Sequence, residues 1–90
     1  MPAEISIVAY GSLARKMRVP AAQPQARILG AIQPLGQVLD GLGLQPDEIQ
    51  LAMVNHRAAD LALEVRAGDR VALFPKEYPI FVDWYAFRSL

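Results

Sequence analysis

Apolar and polar positions along the chain fall into short strand-like runs interrupted by one helical stripe. Ile5-Ser6-Ile7-Val8-Ala9-Tyr10 is apolar and rich enough in β-branched residues for a first strand, and Gly11-Ser12 breaks it. Leu13 to Met17 reads as a short helical piece, Pro20 to Pro24 as a loop, and Ala26 to Ala31 as a second strand returning antiparallel to the first. The clearest helix begins near Pro34, a favoured first-turn residue, and sets Leu35, Val38, Leu39 and Leu42 at i, i+3, i+4 and i+7. Gly43 is placed to cap it in the left-handed conformation. Gly36 and Gly41 each weaken it by roughly 1 kcal/mol relative to alanine, so packing must supply most of its stability.

Beyond that helix, Pro46-Asp47-Glu48 suits a single turn, and Leu51-Ala52-Met53-Val54 leads into the stretch around which the chain is organised. Asn55-His56-Arg57 interrupts the apolar run as a hairpin reversal does, with His56 standing where such turns prefer glycine. Ala67-Gly68-Asp69 is a second reversal. Arg70 to Phe74 then reads as a strand with Val71 and Leu73 on one face, and Pro75, which cannot donate to a ladder, is expected to stop it. Asp69 reads as a turn residue and Arg70 as an exposed strand cation.

Val54, Asn55, Gly68, Asp69, Arg70, Val71, Ala72, Leu73, Phe74 and Pro75 together resemble the "VNG…GDRVALFPP" ending of the sulfur-carrier branch of the ubiquitin-like β-grasp proteins. That branch, the MoaD/ThiS-like family, contains the molybdopterin synthase small subunit and the thiamine sulfur carrier. Weaker similarity runs back to Ile5, with Tyr10, Leu13 and Arg15 answering the segment that follows the family's first strand. The resemblance implies an α+β fold: a mixed sheet of four or five strands, its first and last matching strands parallel and adjacent at the centre, crossed by the helix from Leu35 to Leu42. Family members are not catalysts themselves. Their C-terminal Gly-Gly is activated by a partner of the ubiquitin-activating type and converted to a thiocarboxylate. Here Lys76-Glu77-Tyr78-Pro79 stands where those glycines belong, and no Gly-Gly follows Gly68. The docking half of the family's behaviour is therefore expected and the carrier half is not.

Composition narrows the function classes. Ninety residues, 53% of them hydrophobic, make one small domain with enough apolar side chains for a core. Nine basic and nine acidic residues balance, so no basic field favours nucleic acid or an anionic membrane. Without cysteine there is no thiolate nucleophile, disulfide or cysteine metal site. The amino-terminal residues lack the pattern of a signal peptide, and the apolar segments are too short to span a bilayer, which makes the cytoplasm the expected location. A metal site would need the single histidine, His56, beside Asp60, Glu64 or Asp69; a solvated turn residue is the simpler reading. Ser6, Ser12 and Ser89 lack the surroundings of a nucleophile elbow, and the glycines lack phosphate-cradling spacing. No catalytic residue, metal ligand or cofactor site is assigned.

The carboxy-terminal stretch carries the remaining signal. Six of the seven aromatic residues are Phe74, Tyr78, Phe81, Trp84, Tyr85 and Phe87, and these are the candidate partner-binding residues. Residues 1–75 read as the β-grasp domain and 76–90 as an aromatic extension. Ile80, Val82 and Trp84 alternate with Phe81, Asp83 and Tyr85, so the extension suits a further strand, either completing the domain's own core or sheet edge or binding another chain. The expected role is a non-catalytic protein-binding subunit in molybdenum-type cofactor or sulfur metabolism, its partner a larger enzyme subunit, an activating enzyme or a second copy. A divergent sulfur carrier activated at its C-terminus and a structural or oligomerisation module are the alternatives.

Overall fold

A computed structural model describes residues 3–77. Its main sheet has the strand order β2-β1-β7-β4-β5, built from β1 (Ala3–Ala9), β2 (Gln25–Leu29), β4 (Ile49–Val54), β5 (Arg57–Ala58) and β7 (Arg70–Pro75). β1 and β7 run parallel at the centre, with Ile7 opposite Val71 and Ala9 opposite Leu73. β2 pairs antiparallel with β1, and β4 antiparallel with β7. This is the expected mixed sheet. A two-residue ladder between β3 (Gln33–Pro34) and β6 (Glu64–Val65) is an addition that periodicity does not reveal.

The helix stripe is buried as its spacing requires. In α2 (Leu35–Gly41), Leu35, Val38 and Leu39 enter one cluster with Ile5, Ile7, Val71 and Leu73 from the central strands. Leu42, just past the helix, is half-buried against the same cluster. Gly43 has φ 75°, and two bonds close the helix: Gly43 N–H donates to Asp40 O and Leu44 N–H donates to Leu39 O, both at 3.0 Å. At the other end, Leu35 N–H donates to Leu63 O (2.8 Å) and Gly36 N–H to Leu61 O (2.9 Å), so the 61–63 loop accepts two donors that a helix start leaves without intrahelical partners. A β-carbon at Gly36 would stand 3.4 Å from both the carbonyl oxygen and the β-carbon of Leu61, an ordinary close contact, so the loop packs directly over this position.

The remaining turns follow residue chemistry. Asn55 and His56 have φ of 52° and 69°, a type I′ reversal joining β4 to β5 with Val54 opposite Arg57. Asn55 is doubly tied to the last strand: its N–H donates to Arg70 O (2.8 Å), and its side-chain Oδ1 accepts Arg70 N–H (2.9 Å). Its Nδ2 donates to Asp69 Oδ1 (2.9 Å), while Asp69 Oδ2 accepts Arg66 N–H (2.8 Å). The residues that carry the family resemblance thus form a clasp between two reversals.

One expectation shifts by a single residue and one needs correction. Pro75 ends the last strand as its final residue, buried and opposite Ile49. The register slips between Ile49 and Leu51, so the ladder is already irregular where proline's missing donor falls, as at a bulge. Arg70 is half-buried rather than exposed, because it sits beside Ser6 near the middle of the sheet.

Candidate functional site

Registry assigns each strand residue to one of two sheet faces, since side chains alternate. Ile5, Ile7, Ala9, Val71, Leu73, Ala52 and Val54 share the face under the helices. The opposite, outer face carries Val8 and Met53 on either side of Ala72, Leu51 opposite Phe74, and Ala58 opposite Met53. Toward β2 it turns polar, with Ser6 opposite Arg70 and Glu4 opposite Ile28. Ile28 is 62% exposed, the most exposed large apolar side chain among the described residues. The outer face is therefore apolar around Val8, Met53 and Phe74. Arg70 adds a polar note there: its Nε is enclosed and has no hydrogen-bond partner among the described residues.

Phe74 is the one candidate partner-binding residue that the described residues include. It is half-buried, and its ring stacks on Tyr10 with centroids 4.7 Å apart and planes 7° from parallel. Tyr10 is the residue that precedes α1 (Gly11–Met17), so the stack ties the exit of β7 to the start of that helix. Tyr78, Phe81, Trp84, Tyr85 and Phe87 lie outside the described residues.

A second contact fixes the same corner. Glu77 accepts Ser12 N–H at Oε2 (2.8 Å) and the Ser12 hydroxyl at Oε1 (2.7 Å). These two bonds, the hydroxyl's first, pull the Glu77 carboxyl below its ordinary value of 4.5. Arg15 stands 3.7 Å away, a surface pair of little energetic weight. Sequence reasoning missed Ser12 and Glu77, which are separated by 65 positions. No local pattern marks them.

A depressed carboxyl pKa in the folded state stabilises the fold above the unfolded value, and that contribution is lost as pH falls through the folded value. Unfolding midpoints measured from pH 6 down to pH 3 should therefore fall more steeply for the parent than for Glu77→Gln. Parallel curves would show that the Ser12 contact carries no linkage.

Among the described residues no group of three or more histidine, cysteine, aspartate and glutamate side chains could hold a metal. His56 stands in its exposed turn. No helix among the described residues is long and apolar enough to cross a membrane.

A mixed five-stranded sheet with parallel central strands and a helix across one face defines the ubiquitin-like β-grasp fold. Among solved structures, the chain is similar to Haloferax volcanii small archaeal modifier protein 1. One crystal structure matches at 24% identity and TM-score 0.65, covering 81% of this chain and 97% of that one. A second matches at 23% identity and TM-score 0.63, covering 88% and 98%. Caldiarchaeum subterraneum ubiquitin matches at 18% identity and TM-score 0.54, covering 89% and 100%. At these identities the likeness establishes the fold. No known family profile matches the chain, and no curated protein sequence does either.

Proposed function

We propose that this β-grasp chain is a non-catalytic subunit that docks onto a larger protein of molybdenum-type cofactor or sulfur metabolism and carries no thiocarboxylate. The observation that supports it is the fate of the chain after the last strand. In the MoaD/ThiS-like proteins that its motif resembles, a slender Gly-Gly run follows that strand and threads a partner's active site. Here the same interval is Lys76-Glu77-Tyr78-Pro79, and both carboxylate oxygens of Glu77 are engaged by Ser12. Glu77, held against α1 by two hydrogen bonds where a carrier would have a glycine, suits docking and is unsuited to threading a glycine-shaped channel. The apolar outer face around Met53 and Phe74 supplies the surface, and the aromatic residues of 78–90 lie next to it in the chain.

Two measurements on the full chain test this reading. After incubation with an activating enzyme of the ubiquitin-activating type, ATP and a sulfur donor, its mass should be unchanged; a gain matching replacement of a carboxylate oxygen by sulfur overturns the non-carrier assignment. Titrated with that enzyme and with a molybdopterin synthase large subunit, the chain should bind one of them. Met53→Lys should weaken the complex about tenfold or more, as removal of a central apolar contact does. Absence of binding to both overturns the docking assignment.

A further inference from the structure

The cleft between β2 and α2 is used neither by the core nor by the docking face. β2 stands at one end of the sheet order, so one side of its backbone has no partner strand among the described residues. Such an edge presents N–H and C=O groups with which an added strand can pair. Beside it lies a cleft of about 260 Å³, whose lining includes Ile7, Arg27, Val38 and Leu42. That is below the roughly 300 to 1,000 Å³ of a small-molecule pocket, and it suits side chains instead.

Two observations say what fits there. Arg27 lies opposite Ile5 in the β1–β2 ladder, on the helix side of the sheet, and it is half-buried without an ion pair or side-chain hydrogen bond among the described residues. A guanidinium so placed beside an apolar cleft calls for a carboxylate. The second observation is Gly41. It weakens a seven-residue helix, yet its φ is not positive and a β-carbon there would meet nothing within 4 Å, so neither conformation nor packing requires glycine. Gly30 is alike on both counts. What the two share is the lining of this cleft, whose space side chains at 30 and 41 would enter.

We propose that the β2 edge and the β2–α2 cleft bind an extended acidic peptide segment of another protein as an added edge strand, one of its apolar side chains entering the cleft and a carboxylate pairing with Arg27. Main-chain hydrogen bonds supply the affinity and the two side-chain contacts supply the selectivity. Residues two apart on a strand share a side, so the carboxylate and the apolar residue stand at i and i+2 of the peptide. β1 and β7 separate this edge from Met53 on β4, and the proposal does not rest on the docking function above.

The probe is the end-blocked peptide Thr-Asp-Thr-Val-Thr-Val-Thr, titrated into the isotopically labelled full chain while amide NMR spectra are recorded. Shifts should concentrate in β2 and α2, and replacing the peptide's aspartate by lysine should weaken binding. Arg27→Glu should weaken it roughly tenfold or more, as loss of a charge-assisted contact does, and abolish the preference for aspartate. Arg57→Glu, the same charge change at an exposed position on β5, should leave the affinity unaltered. Gly41→Leu should hold or raise the unfolding midpoint yet remove binding, an opposition that damage to the fold does not produce. Should that variant unfold, Arg27→Glu and the lysine peptide still decide. Absence of shifts at about millimolar peptide overturns the proposal, as do shifts confined to other elements or an affinity indifferent to Arg27→Glu. Self-association of the free chain through β2 that excludes the peptide also overturns it and makes a second copy the occupant.

Discussion

Replacing Leu39 by alanine is expected to lower the unfolding free energy by roughly 2 to 5 kcal/mol, the range for truncating a fully buried leucine. Leu39 is 0% exposed and lies in the cluster shared with Ile5, Ile7, Val71 and Leu73. α2 depends on that contact. It spans seven residues, includes Gly36 and Gly41, and has no side-chain cap at its start, so it is far too short to persist unaided. Packing on the sheet holds it, and Leu39 is at the centre of that packing. Its carbonyl also accepts the Leu44 N–H that closes the helix, so loosening the side chain should fray the cap. Since a domain of this size commands only about 5 to 15 kcal/mol in total, the loss should be plain in a urea titration. The exposed Gln37→Ala serves as control and should stay within about 0.5 kcal/mol of the parent. Coincident midpoints for the two variants would refute the assignment of Leu39 to the core.

Asn55→Ala is expected to cost roughly 2 to 3 kcal/mol, although its site is exposed. Two terms add. The side chain makes one bond to Arg70 N–H and one to Asp69, each worth about 0.5 to 1.5 kcal/mol net. Alanine must also adopt a φ of 52°, a conformation that asparagine tolerates better. Asn55→Gly separates these, because it removes the bonds and relieves the backbone; it should cost about half as much. Equal losses for the two variants, measured by chemical unfolding, would show that backbone conformation contributes nothing at this turn.

The motif that suggested a β-grasp is, in three dimensions, a structural device. Asn55, Asp69 and Arg70 hold one reversal to another and so set the register of β4 against β7. A sequence signature of this kind reports fold more strongly than chemistry, in keeping with solved structures that match in fold at 24% identity or less. That no glycine stands between Asp69 and Leu90 was visible without any coordinates.

Local chemistry was enough to read the main elements, though not the β3–β6 pair. Alternation and β-branching marked β1 and β7; the i, i+3, i+4 stripe marked α2; and asparagine, glycine and aspartate marked the reversals, because each of these signals acts within a few residues along the chain. Three features needed the assembled fold. The Ser12–Glu77 contact joins residues 65 positions apart. Arg70 proved half-buried and Pro75 buried, because each neighbouring strand's register, including its irregularity beside Gln50, decides what surrounds a strand residue. The outer face was hidden for a related reason. Leu51, Ala52, Met53 and Val54 are all apolar, so periodicity cannot say which of them face the helices; pairing of Ala52 with Leu73 and of Met53 with Ala72 makes that choice. Apolar content is a property of the sequence, whereas the side of a sheet left without a helix is a property of its topology.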